Sequence, residues 1–196
     1  MHSVFFALLH RLRSTMRWSG MVATQKEDVA QHTFGVALIA HALAVVDRDL
    51  YQQQPPVEDI LTAALLHDAS ESILTDVIAP VKKYNPQVSE AFANLEHLAE
   101  QQLLDTLPAE LRRVYEPYFN RNWEEVQKYV HAADKIDALC KCKLEVKRGN
   151  QEFSLALQQI SESVENYASQ MPSVRYFVDT FLPAFDRSID EYRYLQ

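Results

Sequence analysis

The chain has 196 residues, which is enough to enclose a hydrophobic core and lies within the usual size of one domain. Only three glycines occur, and the abundance of Ala, Leu, Gln and Glu argues against a turn-rich all-β fold and favours helices. The formal net charge of -8 argues against sequence-independent binding to a nucleic-acid polymer, which needs many Lys and Arg contacts, but it allows a small phosphate ester as ligand.

The first predicted helices flank a polar connection. Residues 3–16 place apolar side chains at helical spacing, and residues 21–28 are polar. A long apolar helix is predicted over residues 29–46, with Asp28 as its N-cap. This helix carries His32 in its first turn.

Neither apolar run near the N-terminus is predicted to target or cross a membrane. Residues 4–9 are followed by His10 and Arg11 and are too short for the apolar region of a signal peptide. The run over residues 36–46 stops at Asp47, well short of a spanning helix. We therefore expect a soluble, cytoplasmic protein with no membrane partner.

The next predicted helix covers residues 56–68, after a break at the Gln- and Pro-rich residues 52–56. It is apolar nearly all round, as is typical of the centre of a bundle, and His67 and Asp68 lie at its end. Prolines separate further predicted helices over residues 87–107, 110–118, 123–147, 152–170 and 174–194. No repeat or linker divides them, so we predict one all-α domain over residues 1–196.

Cys140 and Cys142 are only two residues apart, which on a helix directs them to different faces. No second cysteine pair exists that could complete a zinc cage, and we expect reduced packing residues of a cytosolic protein. Aromatic residues near the C-terminus also follow helical spacing and are expected in the core or at a dimer contact. They are Tyr176, Phe177, Phe181 and Phe185.

Two histidines and two aspartates on separate helical segments form the pattern H…HD…D. Neutral imidazole nitrogens and hard carboxylates are together suited to one divalent cation. The residues are His32, His67, Asp68 and Asp134.

Three neighbouring residues could be confused with these ligands. His41 lies nine residues after His32, so the two point to opposite sides of one helix and cannot bind the same ion. Asp137 follows Asp134 by one turn, and His131 precedes it by one turn on the same face. The spacing alone leaves the choice between the two aspartates open.

Glu71 is the predicted general base. It follows His67 by four residues and Asp68 by three, so we expect it at the same end of the helix. A carboxylate beside a metal-activated water can orient that water and take its proton. The alternative is a capping or solvated glutamate.

Several local sequences resemble the HD-domain phosphohydrolase superfamily, and more closely the small bacterial 5'-deoxynucleotidases of the YfbR type. The similarity spans nearly the whole chain, with the matching segments in the same order. They are Ala30-Gln31-His32-Thr33, Leu66-His67-Asp68-Ala69-Ser70-Glu71, Ala133-Asp134, Arg17-Trp18, Thr75-Asp76 and Pro80-Val81-Lys82.

This resemblance implies a single-domain helical bundle of the HD type that hydrolyses deoxyribonucleoside 5'-monophosphates. It favours Asp134 over Asp137 as the last ligand of one divalent ion, which could be cobalt, manganese, zinc or iron. It also implies a homodimer. The substrate pocket would contain four further residues, namely Arg17, Trp18, Asp76 and Lys82.

Each pocket residue has an expected role. Arg17 can hold the phosphate through two parallel hydrogen bonds, and Lys82 adds charge there. Trp18 offers an apolar plate against the sugar, and Asp76 can accept from the 3'-hydroxyl. A core role for Trp18 is the alternative, because tryptophan often simply packs.

Two rival functions compete with this interpretation, and the first of them would keep the same metal site. Another HD hydrolase could act on a triphosphate, a cyclic nucleotide or an alarmone, although the chain lacks the abundant basic residues expected for a polyphosphate. A noncatalytic signalling or scaffold module is the other alternative. Such a module would be expected to have lost ligands or Glu71, and this chain retains them all.

Overall fold

The computed structural model describes residues 2–119, 122–185 and 187–192, and within these ranges the chain forms eleven α-helices and no β-strand. The helices are α1 (Phe5–His10), α2 (Val29–Asp49), α3 (Val57–Leu66), α4 (Glu71–Leu74), α5 (Ala79–Lys82), α6 (Pro86–Asp105), α7 (Ala109–Tyr115), α8 (Glu124–Lys147), α9 (Ser154–Gln170), α10 (Pro172–Thr180) and α11 (Ile189–Tyr192). Four 3₁₀ turns cover Arg11–Ser14, Glu116–Phe119, Gln151–Phe153 and Leu182–Ala184. The predicted all-α fold class is confirmed.

Helix α2 begins where the sequence predicts. The Asp28 carboxylate accepts a hydrogen bond from the Gln31 backbone N–H at 2.8 Å, and the Gln31 side chain accepts from the Asp28 N–H at 3.4 Å. This reciprocal pair satisfies two donors that the helix itself cannot. The cap therefore fixes the first turn of α2, on which His32 lies.

The other end of α2 extends three residues beyond the predicted bound. Asp47 does not end the helix, because its carboxylate is buried and accepts from the Tyr129 hydroxyl at 2.7 Å and the Ser173 hydroxyl at 2.9 Å. Among the described helices, α2 is the one long and apolar enough to cross a membrane by length and composition. More than half of that window is buried inside the protein, as in the central helix of a bundle.

The predicted helix over residues 56–68 is wrong at its C-terminal end. Helix α3 ends at Leu66, and residues 67–70 form a turn in which the Ala69 N–H bonds to the Leu66 carbonyl at 3.0 Å. This tighter winding changes the direction of side chains relative to an ideal helix. Glu71 consequently opens the separate helix α4 instead of lying on the last turn of α3.

Helices α2, α3 and α8 form the centre of the main core, and α9 and α10 pack around them. Small side chains lie at the contacts between the three central helices, which allows their backbones to approach closely. The buried alanines are Ala40, Ala44, Ala63, Ala64, Ala132 and Ala133. Larger side chains such as Leu43, Ile60 and Ile136 are fully buried around them.

A second core cluster lies on the other side of the turn after α3. Phe5 of α1 packs there with Leu103 and Leu104 of α6, and the cluster includes Leu66 and Ala69. The turn that carries His67 and Asp68 is therefore held between two apolar clusters. This packing fixes the backbone of the turn.

Two predicted helices are wrong in extent. The helix predicted over residues 3–16 is α-helical only over Phe5–His10, and the chain is extended by Met16, which forms an isolated antiparallel bridge with Asp28. The helix predicted over residues 174–194 is interrupted after α10, where Pro183 lies in a 3₁₀ turn. Residues 186, 193 and 194 of that prediction lie outside the described residues.

The bounds of the other predicted helices agree with the structure within a few residues. The exceptions are the end of the helix predicted over residues 110–118 and the start of the one predicted over residues 152–170, which are 3₁₀ turns. Two helices were not predicted from the sequence: α5, and α4 as a helix separate from α3. Both are only four residues long, which is too short to give a periodic signal.

The cysteines pack as expected, but of the four C-terminal aromatic residues only Phe177 is buried, and Phe181 and Phe185 are exposed. Both thiols are unpaired and buried, and burial raises the pKa of Cys140 to about 12 and that of Cys142 to about 11. Phe177 is buried, and its ring centroid lies 5.2 Å from that of Phe181 and 6.3 Å from that of Phe185. The dimer contact stays a prediction.

Candidate active site

Three segments bring the four predicted ligands together. His32 comes from the first turn of α2, His67 and Asp68 from the turn after α3, and Asp134 from the middle of α8. His67 Nε2 lies 3.1 Å from Asp68 Oδ2, and His32 Nε2 lies 3.2 Å from Asp134 Oδ1. His32 Nε2 also lies 3.4 Å from His67 Nε2 and 3.6 Å from Asp68 Oδ2.

Both imidazoles are oriented by a hydrogen bond at the outer ring nitrogen. His32 Nδ1 donates to Asp137 Oδ2 at 2.7 Å, and His67 Nδ1 donates to the Ala64 carbonyl at 2.8 Å. These acceptors carry no proton, so each Nδ1 must be the donor. In a neutral ring the single proton is then on Nδ1, so each Nε2 has a free lone pair. The two Nε2 atoms face each other and the carboxylates.

The electrostatics of this cluster favour positive charge between the rings. Burial opposes protonation of His32, but hydrogen bonds with Asp134 and Asp137 outweigh it and raise the pKa of His32 to about 9. Burial likewise opposes protonation of His67, yet Asp68 raises its pKa. A proton or a metal cation can supply the charge.

Three of the donors, on His32, His67 and Asp68, lie within 4.8 Å of one another and fit one small divalent ion, and Asp134 approaches this group at His32. Ligand bonds of roughly 2.0–2.2 Å put neighbouring donor atoms about 2.8–3.6 Å apart in octahedral or tetrahedral geometry. The separations found here are close to that range. Two imidazole nitrogens with carboxylate oxygens suit several transition metals, so the chemistry of the donors does not select among them.

The two aspartates of α8 lie on opposite edges of the same imidazole. Asp134 presents Oδ1 to the inner nitrogen of His32, and its other oxygen pairs with Lys135 at 2.7 Å. Asp137 binds the outer nitrogen. His41, in contrast, is exposed on the far side of α2, as expected.

A cleft opens beside the cluster, with a cavity of about 210 Å³. Three of the four predicted ligands line it together with Glu71 and residues of α6, α8 and the 3₁₀ turn after α7. The full lining is Leu66, His67, Asp68, Ser70, Glu71, Glu96, Glu100, Tyr118, Phe119, Gln127, Val130, His131 and Asp134. The predicted neighbour His131 thus lies on the wall of this cleft.

Glu71 lies on the cleft wall with 8% of its surface exposed. Its Oε2 atom is buried and has no hydrogen-bond partner among the described residues. Burial, followed by the charges of Asp68 and Asp76, raises the pKa of Glu71 to about 8. A carboxyl group tuned in this way can exchange a proton near neutral pH.

Lys82 is paired with carboxylates of the cleft. Its Nζ lies 3.0 Å from Glu96 Oε1 and 3.6 Å from Glu71 Oε1. It lines a smaller cavity next to the cleft, which Glu71 also lines. Its ammonium charge opposes the rise in the pKa of Glu71.

Arg17 lies outside the lining of the cleft and forms an ion pair with Glu27. Burial opposes its charge, but Glu27 and then Asp134 and Asp68 raise its pKa. Arg17 is therefore close enough to interact electrostatically with two of the predicted ligands. Its Cζ atom also lies 5.5 Å from the ring centroid of Trp18.

Trp18 and Thr75, the residue before Asp76, have positive φ angles of 60° and 66°. This conformation is costly for residues other than glycine and occurs often at functional sites. The Trp18 ring packs on Phe153 with centroids 5.3 Å apart, and its Nε1 is buried without a hydrogen-bond partner in the described part of the chain. Neither Trp18 nor Asp76 lines the cleft.

Glu27 and Glu96, which pair with Arg17 and Lys82, were not predicted from the sequence. Glutamates are common at protein surfaces, so nothing in the sequence distinguished these two. No contact of Asp137 was predicted, and the structure places its carboxylate against the outer nitrogen of His32. A usable signal was Gly35, because a glycine inside a helix usually has a packing reason.

Comparisons with known proteins identify the family of this chain. The family model described as 5'-deoxynucleotidase YfbR-like matches residues 4–185. The 5'-deoxynucleotidase PM0747 of Pasteurella multocida is 38% identical over 191 residues, covering 96% of this chain and 97% of that relative. The 5'-deoxynucleotidase YfbR of Salmonella paratyphi B is also 38% identical over 191 residues, covering 96% and 95%.

Solved structures share the fold. An HD-domain phosphohydrolase from Listeria innocua superposes with a TM-score of 0.81 at 24% identity, covering 96% of this chain and 91% of that one. A cyanophage S-2L HD phosphohydrolase, solved with dA and one catalytic Zn²⁺ ion, gives a TM-score of 0.60 at 16% identity, covering 94% and 96%. The HD-type helical fold is thereby confirmed.

Proposed function

The chain belongs to the YfbR-like 5'-deoxynucleotidase family and hydrolyses deoxyribonucleoside 5'-monophosphates to the nucleoside and inorganic phosphate, and we propose that the cleft beside α3 and α8 is its active site. The observation that carries the proposal is the convergence of two imidazole nitrogens and two carboxylates beside a cavity. The proposed ligands of one divalent ion are His32, His67, Asp68 and Asp134.

A divalent ion held by these residues would supply Lewis-acid chemistry, by polarising a phosphoryl oxygen and lowering the pKa of water. Glu71 orients the attacking water and accepts its proton. Its position on the cleft wall and its buried, unpaired oxygen support this role. Cobalt, manganese, zinc and iron all suit the donor set, and zinc is the ion in the cyanophage relative of the same fold.

Positive charge beside the ligands stabilises the phosphoryl group. We assign this role to Arg17 and Lys82, which both lie near carboxylates of the site. An arginine can form two parallel hydrogen bonds to a phosphate, and it would exchange its contact with Glu27 for the substrate. Lys82 has a second role, because its charge keeps the pKa of Glu71 from rising further.

Selection of deoxyribose is assigned to Trp18 and Asp76. The strained backbone at Trp18 and at Thr75, next to Asp76, supports a functional role for this region. Trp18 would pack on the sugar where a 2'-hydroxyl is disfavoured, and Asp76 would accept from the 3'-hydroxyl. Because both residues lie outside the cleft lining, this assignment requires the substrate to extend from the cleft toward them.

We also propose a cytoplasmic homodimer that binds no nucleic-acid polymer. The homodimer follows from the family resemblance. The net charge of -8 supports a small nucleotide in preference to a polymer.

A phosphate-release assay tests the function. Protein stripped of metal and reloaded with cobalt or manganese is given deoxy and ribo 5'-monophosphates, 3'-monophosphates and triphosphates. Metal-dependent release confined to deoxy 5'-monophosphates is the expected result. Release only from triphosphates would be consistent with the metal site but would contradict the proposed substrate. No phosphate release from any of these nucleotides, with metal bound, would contradict the proposed activity.

The sugar assignment has its own test. Trp18→Ala should reduce the preference for deoxy over ribo 5'-monophosphates, measured as the ratio of their kcat/KM values. Tyr84→Ala, at an exposed aromatic residue, is the control. Unchanged selectivity in the Trp18 variant would leave Trp18 as a packing residue against Phe153.

A further inference from the structure

The His32 imidazole is bound at both ring nitrogens by carboxylates from one helix. Asp134 and Asp137 are three residues apart on α8, so they lie on the same face one turn apart. Asp134 Oδ1 is 3.2 Å from Nε2, and Asp137 Oδ2 is 2.7 Å from Nδ1. His32 is 1% exposed, so water does not compete for the outer nitrogen.

Gly35 makes room for the outer carboxylate. It lies one turn after His32 on α2, and a Cβ atom placed there would be 2.1 Å from Asp137 Oδ1 and 3.0 Å from its Cγ. Glycine weakens a helix interior relative to alanine, so this position sacrifices helix stability. The close approach to Asp137 explains the glycine.

We propose that Gly35 and Asp137 are a pair of positioning residues that hold His32 with its inner nitrogen directed at the metal site. A hydrogen bond from Nδ1 to a carboxylate fixes both the tautomer and the ring orientation of a ligating histidine, and it makes the other nitrogen a better donor to the ion. Asp137 does this through direct contact, and Gly35 acts only through Asp137.

Another carboxylate lies nearby but is already engaged. Glu27 lies within reach of His32 and Asp137, and its carboxylate forms the ion pair with Arg17. As long as Arg17 binds Glu27, loss of Asp137 would therefore leave the outer nitrogen of His32 without its acceptor. The inference rests on the proposed function, since it treats His32 as a ligand.

A double-mutant cycle tests the pair, with cobalt affinity measured by titration against a competing chelator. The single variants are Asp137→Ala and Gly35→Ala, and the double variant combines them. Asp137→Ala should weaken cobalt binding about 10- to 100-fold. Gly35→Ala should do the same, because its methyl group displaces the carboxylate, and the double variant should be no weaker than Asp137→Ala alone.

Three further variants test the assignment more closely. Asp137→Asn keeps an oxygen that accepts from Nδ1, so it should retain most of the affinity, whereas Asp134→Asn should lose more. Asp49→Ala removes an exposed carboxylate at the far end of α2 and should bind cobalt like the wild type. If Asp137→Asn abolished binding while Asp134→Asn did not, Asp137 would be the ligand and the inference would be wrong.

A spectroscopic readout is independent of affinity. In the zinc-loaded protein, the Nδ1 proton of His32 should give a slowly exchanging NMR signal that persists in Asp137→Asn and disappears in Asp137→Ala. If Gly35→Ala unfolds the chain, the double variant should restore folding, because the clashing carboxylate is gone. Thermal melts of the two proteins make that comparison.

The outcomes separate this inference from the proposed function. Wild-type affinity in both single variants, or losses that multiply in the double variant, would overturn the pair while the metal site stands. A wild-type protein that binds no cobalt would overturn both.

Discussion

The Nε2 atoms of His32 and His67 lie 3.4 Å apart, although 35 residues separate the two histidines in the sequence. Each ring is held from behind by a hydrogen bond at Nδ1, so neither can turn away without breaking it. Two nitrogen lone pairs that face each other beside carboxylates repel unless a cation lies between them. The arrangement is therefore stabilised by whatever cation it binds.

Metal binding should consequently raise the stability of the fold. At an ion concentration of 100 times Kd, the free energy of unfolding should increase by about 2.7 kcal/mol. His67→Ala should lose most of this increase, which thermal melts with and without cobalt would show. His41→Ala, at an exposed histidine of the same helix as His32, is the control, and an undiminished increase in the His67 variant would contradict the assignment.

Glu71 should make the stability of the metal-free protein depend on pH. Its pKa rises from 4.5 to about 8 on folding, so the folded state holds an extra proton between these values. Stability contributed by the protonated carboxyl is present at about pH 4.5 and is lost as the pH rises toward 8. Denaturant titrations of chelator-treated protein should show a steeper decline in the wild type than in Glu71→Gln, in which the raised pKa values of His32 and His67 still lower stability as the pH rises.

Glu71→Gln should also lower kcat by about 10²- to 10⁴-fold with cobalt still bound, because a general base has been removed. Glu90→Gln, at an exposed glutamate of α6, should change neither kcat nor the pH dependence of stability. A Glu71 variant that keeps wild-type kcat would remove Glu71 from the mechanism.

Lys82 should set the pH at which activity begins. Its charge lowers the pKa of Glu71, so Lys82→Gln should move the acidic limb of the pH–rate profile upward. We expect about one pH unit, since an opposite charge at 4–6 Å typically shifts a pKa by about 1–3 units and Glu96 shares this ammonium. If Lys82→Gln raised KM but left the acidic limb of the pH–rate profile unchanged, Lys82 would act in phosphate binding alone. Lys83→Gln is the control.

Glu145 should anchor the loop that carries Arg17 and Trp18. Its fully buried carboxylate accepts from the Thr24 N–H and hydroxyl, the Gln25 N–H and Asn150, and it pairs with Lys141.

Glu145→Ala should destabilise the fold by about 3–5 kcal/mol, because it leaves a buried ammonium unpaired. Chemical denaturation measures the loss. The control is Glu152→Ala, which removes a single exposed contact to the Val22 N–H. Equal effects of the two substitutions would mean that the loop is held elsewhere.

The sequence was most informative where the signals were local. The capping pair of Asp28 and Gln31 located the start of α2, and apolar periodicity located α8 within one residue. Helix caps and periodicity depend on residues only a few positions apart, so they can be read without knowing the fold. The ligand pattern and the family followed from short motifs of the same kind.

Long-range packing decided what the motifs left open. Helix α3 ends where the following turn is held between two core clusters. Asp134 and Asp137 differ because the packing of α8 on α2 places one at the inner nitrogen of His32 and the other at the outer nitrogen. The sequence by itself determined the all-α class, most of the long helices and the family, and it predicted the types of ligand. Only the tertiary structure decided which nitrogen faces which carboxylate, because that depends on contacts between residues about 100 positions apart, such as His32 and Asp137.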